Sequence, residues 1–130
     1  MKASRIREIL DKIENVTVAV YGDFCLDAYW ILDPQGSEVS VETGLQARAV
    51  ARHYYSLGGA SNVVANLAAL KPKAIQVIGA VGDDLFGREL RRQLDGLGVD
   101  TTHLVIQREK FDTVTFAKPY LEGKEEARVD

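Results

Sequence analysis

The sequence predicts an α/β fold, a parallel sheet with helices on its faces. Three observations predict it. Apolar, β-branched runs at residues 16–21 and 75–81 read as strands, with apolar residues on both faces. Helical stripes alternate with these runs. Glycines Gly22 and Gly82 close both runs, where a layered sheet needs turns.

The elements follow in order. Ile6, Ile9, Leu10 and Ile13 stand at i, i+3, i+4 and i+7, so residues 1–14 form an amphipathic helix. Residues 16–21 then form a buried strand. Asp33-Pro34, Gly36 and Gly44 make residues 31–44 a loop or short edge structure. Residues 45–55 alternate alanines and leucine with Gln46, Arg48 and Arg52, which favours a half-exposed strand; the alanines would also accept a helix. After Gly58-Gly59, Val63, Leu67 and Leu70 give a helix that Pro72 bars from continuing. Residues 75–81 form the next strand. Asp83 or Asp84 caps a helix whose apolar face is Phe86, Leu90, Leu94 and Leu97, and Gly96 and Gly98 stop it. Residues 103–107, 113–117 and 126–129 are strands, the last two joined as a hairpin through Leu121-Glu122-Gly123-Lys124. A doubly wound sheet has more strands than these, so residues 1–130 read as the N-terminal part of a larger domain.

Composition narrows the function. The 46% hydrophobic content suffices for a core, and the net charge of −3 gives no electrostatic reason to expect nucleic acid or an anionic membrane. No apolar run reaches the roughly 18 residues of a membrane span. The N-terminus lacks the apolar centre of a signal peptide. The single cysteine, Cys25, forms no internal disulfide and suits a reducing, cytoplasmic compartment.

Two motifs carry chemistry. Gly22-Asp23-Phe24-Cys25-Leu26-Asp27 follows the first strand, at the edge where open α/β sheets bind ligands. A carboxylate there can accept hydrogen bonds from a vicinal diol, with Asp27 the better candidate; a turn aspartate or helix cap is the commoner role. Gly58-Gly59-Ala60-Ser61-Asn62 opens a helix. It either admits a substrate to the backbone, with the Asn62 amide facing a hydroxyl, or is a tight turn alone. Gly79-Ala80-Val81-Gly82-Asp83-Asp84 misses the spacing of a dinucleotide fingerprint. His53 and His103 lack ligand-spaced partners, so no metal site is expected. Tyr29 with Trp30 reads as lid or interface packing, with stacking on a sugar ring as the other option, and Cys25 reads as buried filler rather than a nucleophile. Lys118, Lys124 and Arg128 are surface charges or partners for a substrate phosphate.

Taken together, Gly22-Asp23 with Asp27, Gly58-Gly59-Ala60-Ser61-Asn62, residues 77–84 followed by Phe86-Gly87, and Leu97-Gly98-Val99-Asp100-Thr101 resemble the PfkB, or ribokinase-like, carbohydrate kinases. Residues 20–30 are most similar to the family's heptose-7-phosphate kinase branch. The resemblance implies an αβα sandwich with a small β lid, here about residues 28–57 and 110–130, and a homodimer made through the lid. It implies transfer of the ATP γ-phosphoryl group to a hydroxyl of a sugar or sugar phosphate, with Mg²⁺. Asp27, Gly58, Gly59 and Asn62 would hold the sugar, and Lys118 would approach its phosphate.

The chain also departs from the family. The Asp-Thr-x-Gly-Ala-Gly-Asp segment, which forms the anion hole and supplies the catalytic base, does not occur in it. Val64 and Leu70-Lys71-Pro72 replace a small residue and a Leu-Gly helix end. The expectation is a sugar-binding portion that is inactive alone, its base lying beyond Asp130 and ATP and Mg²⁺ belonging to a full-length parent. The rival reading is a non-catalytic module that dimerises or binds through its lid-like strands.

Overall fold

The computed structural model describes residues 2–130. Its contacts divide the chain into two compact units. One comprises the chain up to Leu26 with Leu57–Val114; the other comprises Asp27–Ser56 and Thr115–Asp130.

The first unit is layered α/β. Helix α1 (Ala3–Ile13) precedes strand β1 (Thr17–Tyr21). Helix α2 (Gly59–Ala69), strand β4 (Ala74–Gly82), helix α3 (Leu85–Gly96) and strand β5 (Asp100–Gln107) follow the excursion into the second unit. The sheet order is β1-β4-β5, all parallel, with Val20 beside Val77 and Gly79 beside Leu104. Parallel neighbours need crossovers, and α3 provides the one between β4 and β5. α2 touches β1 and β4, α3 touches β4 and β5, and the two helices touch each other. Val64, Val77, Val81, Leu90 and Leu94 are fully buried there. Each such side chain contributes about 1.5–3 kcal/mol by leaving water.

One expectation is corrected in this unit. The run at residues 16–21 is an edge strand among the described residues: of β1 only Val20 is buried, while Tyr21 is 84% exposed. β-Branched residues favour extended backbone at an edge as well as at a centre, and it is β4 that takes the central place. The stripe of α1 forms a helix as expected, yet α1 buries none of its residues, and Ile6, Ile9 and Leu10 stay in water.

The second unit is a four-stranded sheet of order β3-β2-β6-β7. Its strands are β2 (Phe24–Val39), β3 (Gln46–Gly58), β6 (Thr115–Leu121) and β7 (Lys124–Glu125); β2 begins, and β3 ends, in the first unit. The strand at residues 45–55 is therefore as expected, whereas the loop or short edge structure expected at 31–44 is, as far as Val39, part of one long strand. β2 runs through Pro34 and Gly36 to Val39. Local hydrogen bonds support that stretch: the Gln35 N–H donates to Asp33 Oδ1 at 2.9 Å, and the Ser37 hydroxyl donates to the Asp33 carbonyl. Only residues 40–45 turn, with Ser40 N donating to the Leu45 carbonyl and Gly44 at positive φ. The hairpin at Glu122-Gly123 has positive φ at both central residues, as tight hairpins prefer. The strand expected at 126–129 is only a bridge, Val129 exchanging two hydrogen bonds with Ala117, and β7 lies earlier. Among the described residues no helix is long and apolar enough to cross a membrane.

Candidate functional site

In the first unit the two glycine motifs meet each other. β1 ends at Tyr21, and Asp23 turns the chain into β2. The Ala60 N–H, at the start of α2, donates to the Asp23 carbonyl at 3.0 Å. Gly58 is the extended N-cap residue and is buried; it brings no side-chain cap. Gly59 has φ +51, and a Cβ there would stand 2.7 Å from the Asp23 carbonyl oxygen and 2.9 Å from Cys25 Sγ. The missing side chain of Gly59 thus makes room for the protein's own backbone. Buried Ser61 completes the junction, its one hydroxyl proton shared between the carbonyls of Cys25 and Gly58. Ser61 was legible only as part of the motif; a hydroxyl on the second turn residue after Gly-Gly is the signal that it ties strand to helix. Asn62 follows on the exposed side of α2, its carbonyl accepting from Asn66 Nδ2.

A groove of about 590 Å³ runs from the end of β1 at Tyr21 along the interior of β4, at residues 78–80, and of β5, at His103 and Val105. Gly22, Asp23, Phe24, His103 and Phe111 line it. His103 and Phe111 carried no spacing signal: register beside Ile78 of β4 placed His103, and the loop between β5 and β6 brought in Phe111. Beside it, Asp84 ties down the turn after β4. Its Oδ1 accepts from the Gly87 N–H at 2.8 Å and its Oδ2 from the Thr113 N–H at 2.7 Å, while Thr113 Oγ1 accepts from the Gly82 N–H. The cap expected of Asp83 or Asp84 is therefore Asp84. Burial works to raise its pKa, but the N–H groups of Gly87, Thr113 and Phe86 and the Thr113 hydroxyl together bring it below the ordinary value.

In the second unit the structure brings Asp27 and Lys118 together. Alternate residues of a strand share a face. Asp27 and Tyr29 of β2, Arg52 and Tyr54 of β3, and Lys118 and Tyr120 of β6 use that alternation. Lys118 Nζ lies 2.8 Å from Asp27 Oδ2 and 5.1 Å from the centre of the Tyr29 ring. Tyr29 stacks on Tyr54, centroids 4.7 Å apart and planes 4° apart, and Tyr120 stands 6.0 Å away. Arg52 covers the Tyr54 ring at 5.6 Å. Burial acts to lower the Lys118 pKa; the hydrogen bond and charge of Asp27, with help from Tyr29, outweigh it, so the amine titrates above its usual range and is cationic at neutral pH. Tyr29 thus packs on the tyrosines of the neighbouring strands. Arg128 is paired with Glu125.

Of the residues expected to bind sugar, Gly58, Gly59 and Asn62 belong to the first unit, Asp27 and Lys118 to the second. Among the described residues no three His, Cys, Asp or Glu side chains are grouped to hold a metal ion.

Solved structures define the class. A carbohydrate kinase from Agrobacterium tumefaciens matches with a TM-score of 0.67 at 16% identity, over 87% of this chain and 34% of that one. Ribokinase from Cryptococcus neoformans matches with a TM-score of 0.61 at 20% identity, over 88% and 34%. The fold is ribokinase-like. Residues 16–119 match the pfkB family carbohydrate kinases, and the chain belongs to that family. It is 37% identical over 101 residues to the bifunctional protein HldE of Wolinella succinogenes, covering 77% of this chain and 20% of that one. It is also 37% identical over 91 residues to the D-beta-D-heptose 7-phosphate kinase of Bordetella bronchiseptica, covering 70% and 28%. The chain thus spans between a fifth and a third of these relatives.

Proposed function

We propose that this chain is the sugar-holding portion of an ATP-dependent carbohydrate kinase, and that its substrate is a sugar phosphate of the heptose 7-phosphate kind. The Asp27–Lys118 arrangement carries this reading: a carboxylate at the start of β2, held at one oxygen by an ammonium. Such a carboxylate accepts hydrogen bonds from sugar hydroxyls, and a partly dry setting strengthens them. The names of the curated relatives favour the heptose phosphate.

The roles assigned are binding and orientation. The general base and the nucleotide cradle are absent from the sequence, so phosphoryl transfer belongs to the whole kinase, with ATP and Mg²⁺ bound there. The reading also expects a cytoplasmic protein whose copies pair through the second unit, where β3 is a long, mostly exposed edge strand.

The test is calorimetric titration of the 130-residue chain with heptose 7-phosphate. The expected outcome is saturable binding that Asp27→Ala abolishes, with no ATP consumed. Equal binding by the variant removes Asp27 from the site, and ATP turnover by the chain alone refutes the division of labour.

A further inference from the structure

Lys118 was expected to meet a substrate phosphate, but its surroundings assign it other work. The ammonium is 2.8 Å from Asp27 Oδ2, and the two side chains are only 13% and 20% exposed. An ammonium has three protons on a flexible stem, so a lysine that greets an anion needs freedom to reach it. Here the charge is already matched by a carboxylate, and the Tyr29 ring bounds it on another side. Tyr29 in turn is braced by Tyr54 and Tyr120 on neighbouring strands. The ion pair engages Oδ2, while Oδ1 of Asp27 enters no hydrogen bond or ion pair among the described residues.

We propose that Lys118 is a positioning residue: it acts on the sugar through Asp27, fixing Oδ2 so that Oδ1 accepts from a substrate hydroxyl, and does not itself read the substrate's phosphate. The inference rests on the sugar-site reading above and adds a specificity to it. Loss of Lys118 must weaken phosphorylated and unphosphorylated sugar alike, because both lean on Asp27. A direct phosphate contact would instead be lost only for the phosphorylated one.

The experiment titrates the full chain with heptose and with heptose 7-phosphate, for wild type, Lys118→Met and Lys118→Arg. Lys118→Met is expected to weaken both ligands by the same factor, about tenfold, the worth of a charge-assisted hydrogen bond. Lys118→Arg, which keeps the charge beside Asp27, restores both together. A loss confined to heptose 7-phosphate, or no loss for either ligand, overturns the positioning role while the sugar site stands. Wild-type chain that binds neither ligand overturns the sugar-site reading and this inference with it. If Lys118→Met lacks the dispersed NMR spectrum of a folded chain, the neutral, polar Lys118→Gln takes its place: an equal loss for both ligands supports the role, and a phosphate-selective loss or no loss overturns it.

Discussion

At the scale of single residues, the polar side chains that matter most are those that answer the backbone. Asp84 is one: it satisfies the N–H groups of Gly87 and Thr113, on segments far apart in sequence, and Thr113 in turn satisfies the Gly82 N–H through its hydroxyl. Asp84→Asn should cost about 1–3 kcal/mol, because an amide's NH₂ must face a donor that the carboxylate accepted. Its pH signature follows from the sign of the shift. A carboxyl held below its ordinary 3.8 adds stability above that pH and loses it as pH falls through the lowered value. Urea unfolding of wild type and variant between pH 7 and pH 3 should show a gap that narrows on the acid side. Helix-cap chemistry made Asp84 legible from the sequence as one of two candidates. Its second partner, Thr113, was not, because no local pattern links it to the β4–α3 turn. Gly59 shows the same division: Gly-Gly before a helix announced a special backbone, but the neighbours that demand it, Asp23 and Cys25, are found only in the folded chain.

At the scale of elements, periodicity named helices and strands but not their faces' fates. α1 and α3 carry equally regular apolar stripes. Leu90 and Leu94 of α3 are fully buried against the sheet and α2, whereas Ile9 of α1 is 42% exposed. Leu90→Ala should therefore destabilise by about 2–5 kcal/mol, through lost transfer energy and a residual cavity. Ile9→Ala should stay within about 0.5 kcal/mol. Denaturant midpoints of the two variants check the contrast, and an equal loss would place α1 in the core. β2 teaches the complementary lesson. Pro34 and Gly36 spoke for a loop, yet Asp33 and Ser37 supply the local hydrogen bonds, and the partner strand β3 draws the segment into an extended hairpin.

At the scale of the whole molecule, stability is distributed by strand order. β4 sits between β1 and β5 and is paired on both edges, with Ile75, Val77 and Val81 buried. Opening it requires the sheet to open, while α1 can open without exposing buried apolar surface. Hydrogen exchange should find the slowest amides in β4 and the fastest helical ones in α1. Protection in α1 equal to that in β4 would contradict this. The sequence by itself determined the element types, their order and the tight turns, because 3.6- and 2-residue periodicity, caps and positive-φ glycines act within a few residues. The tertiary structure alone decided that β1 is an edge, that β2 is long and that Lys118 meets Asp27. Those outcomes depend on which distant strand lies alongside, and pairing energy between segments so far apart in the chain leaves no mark on local spacing.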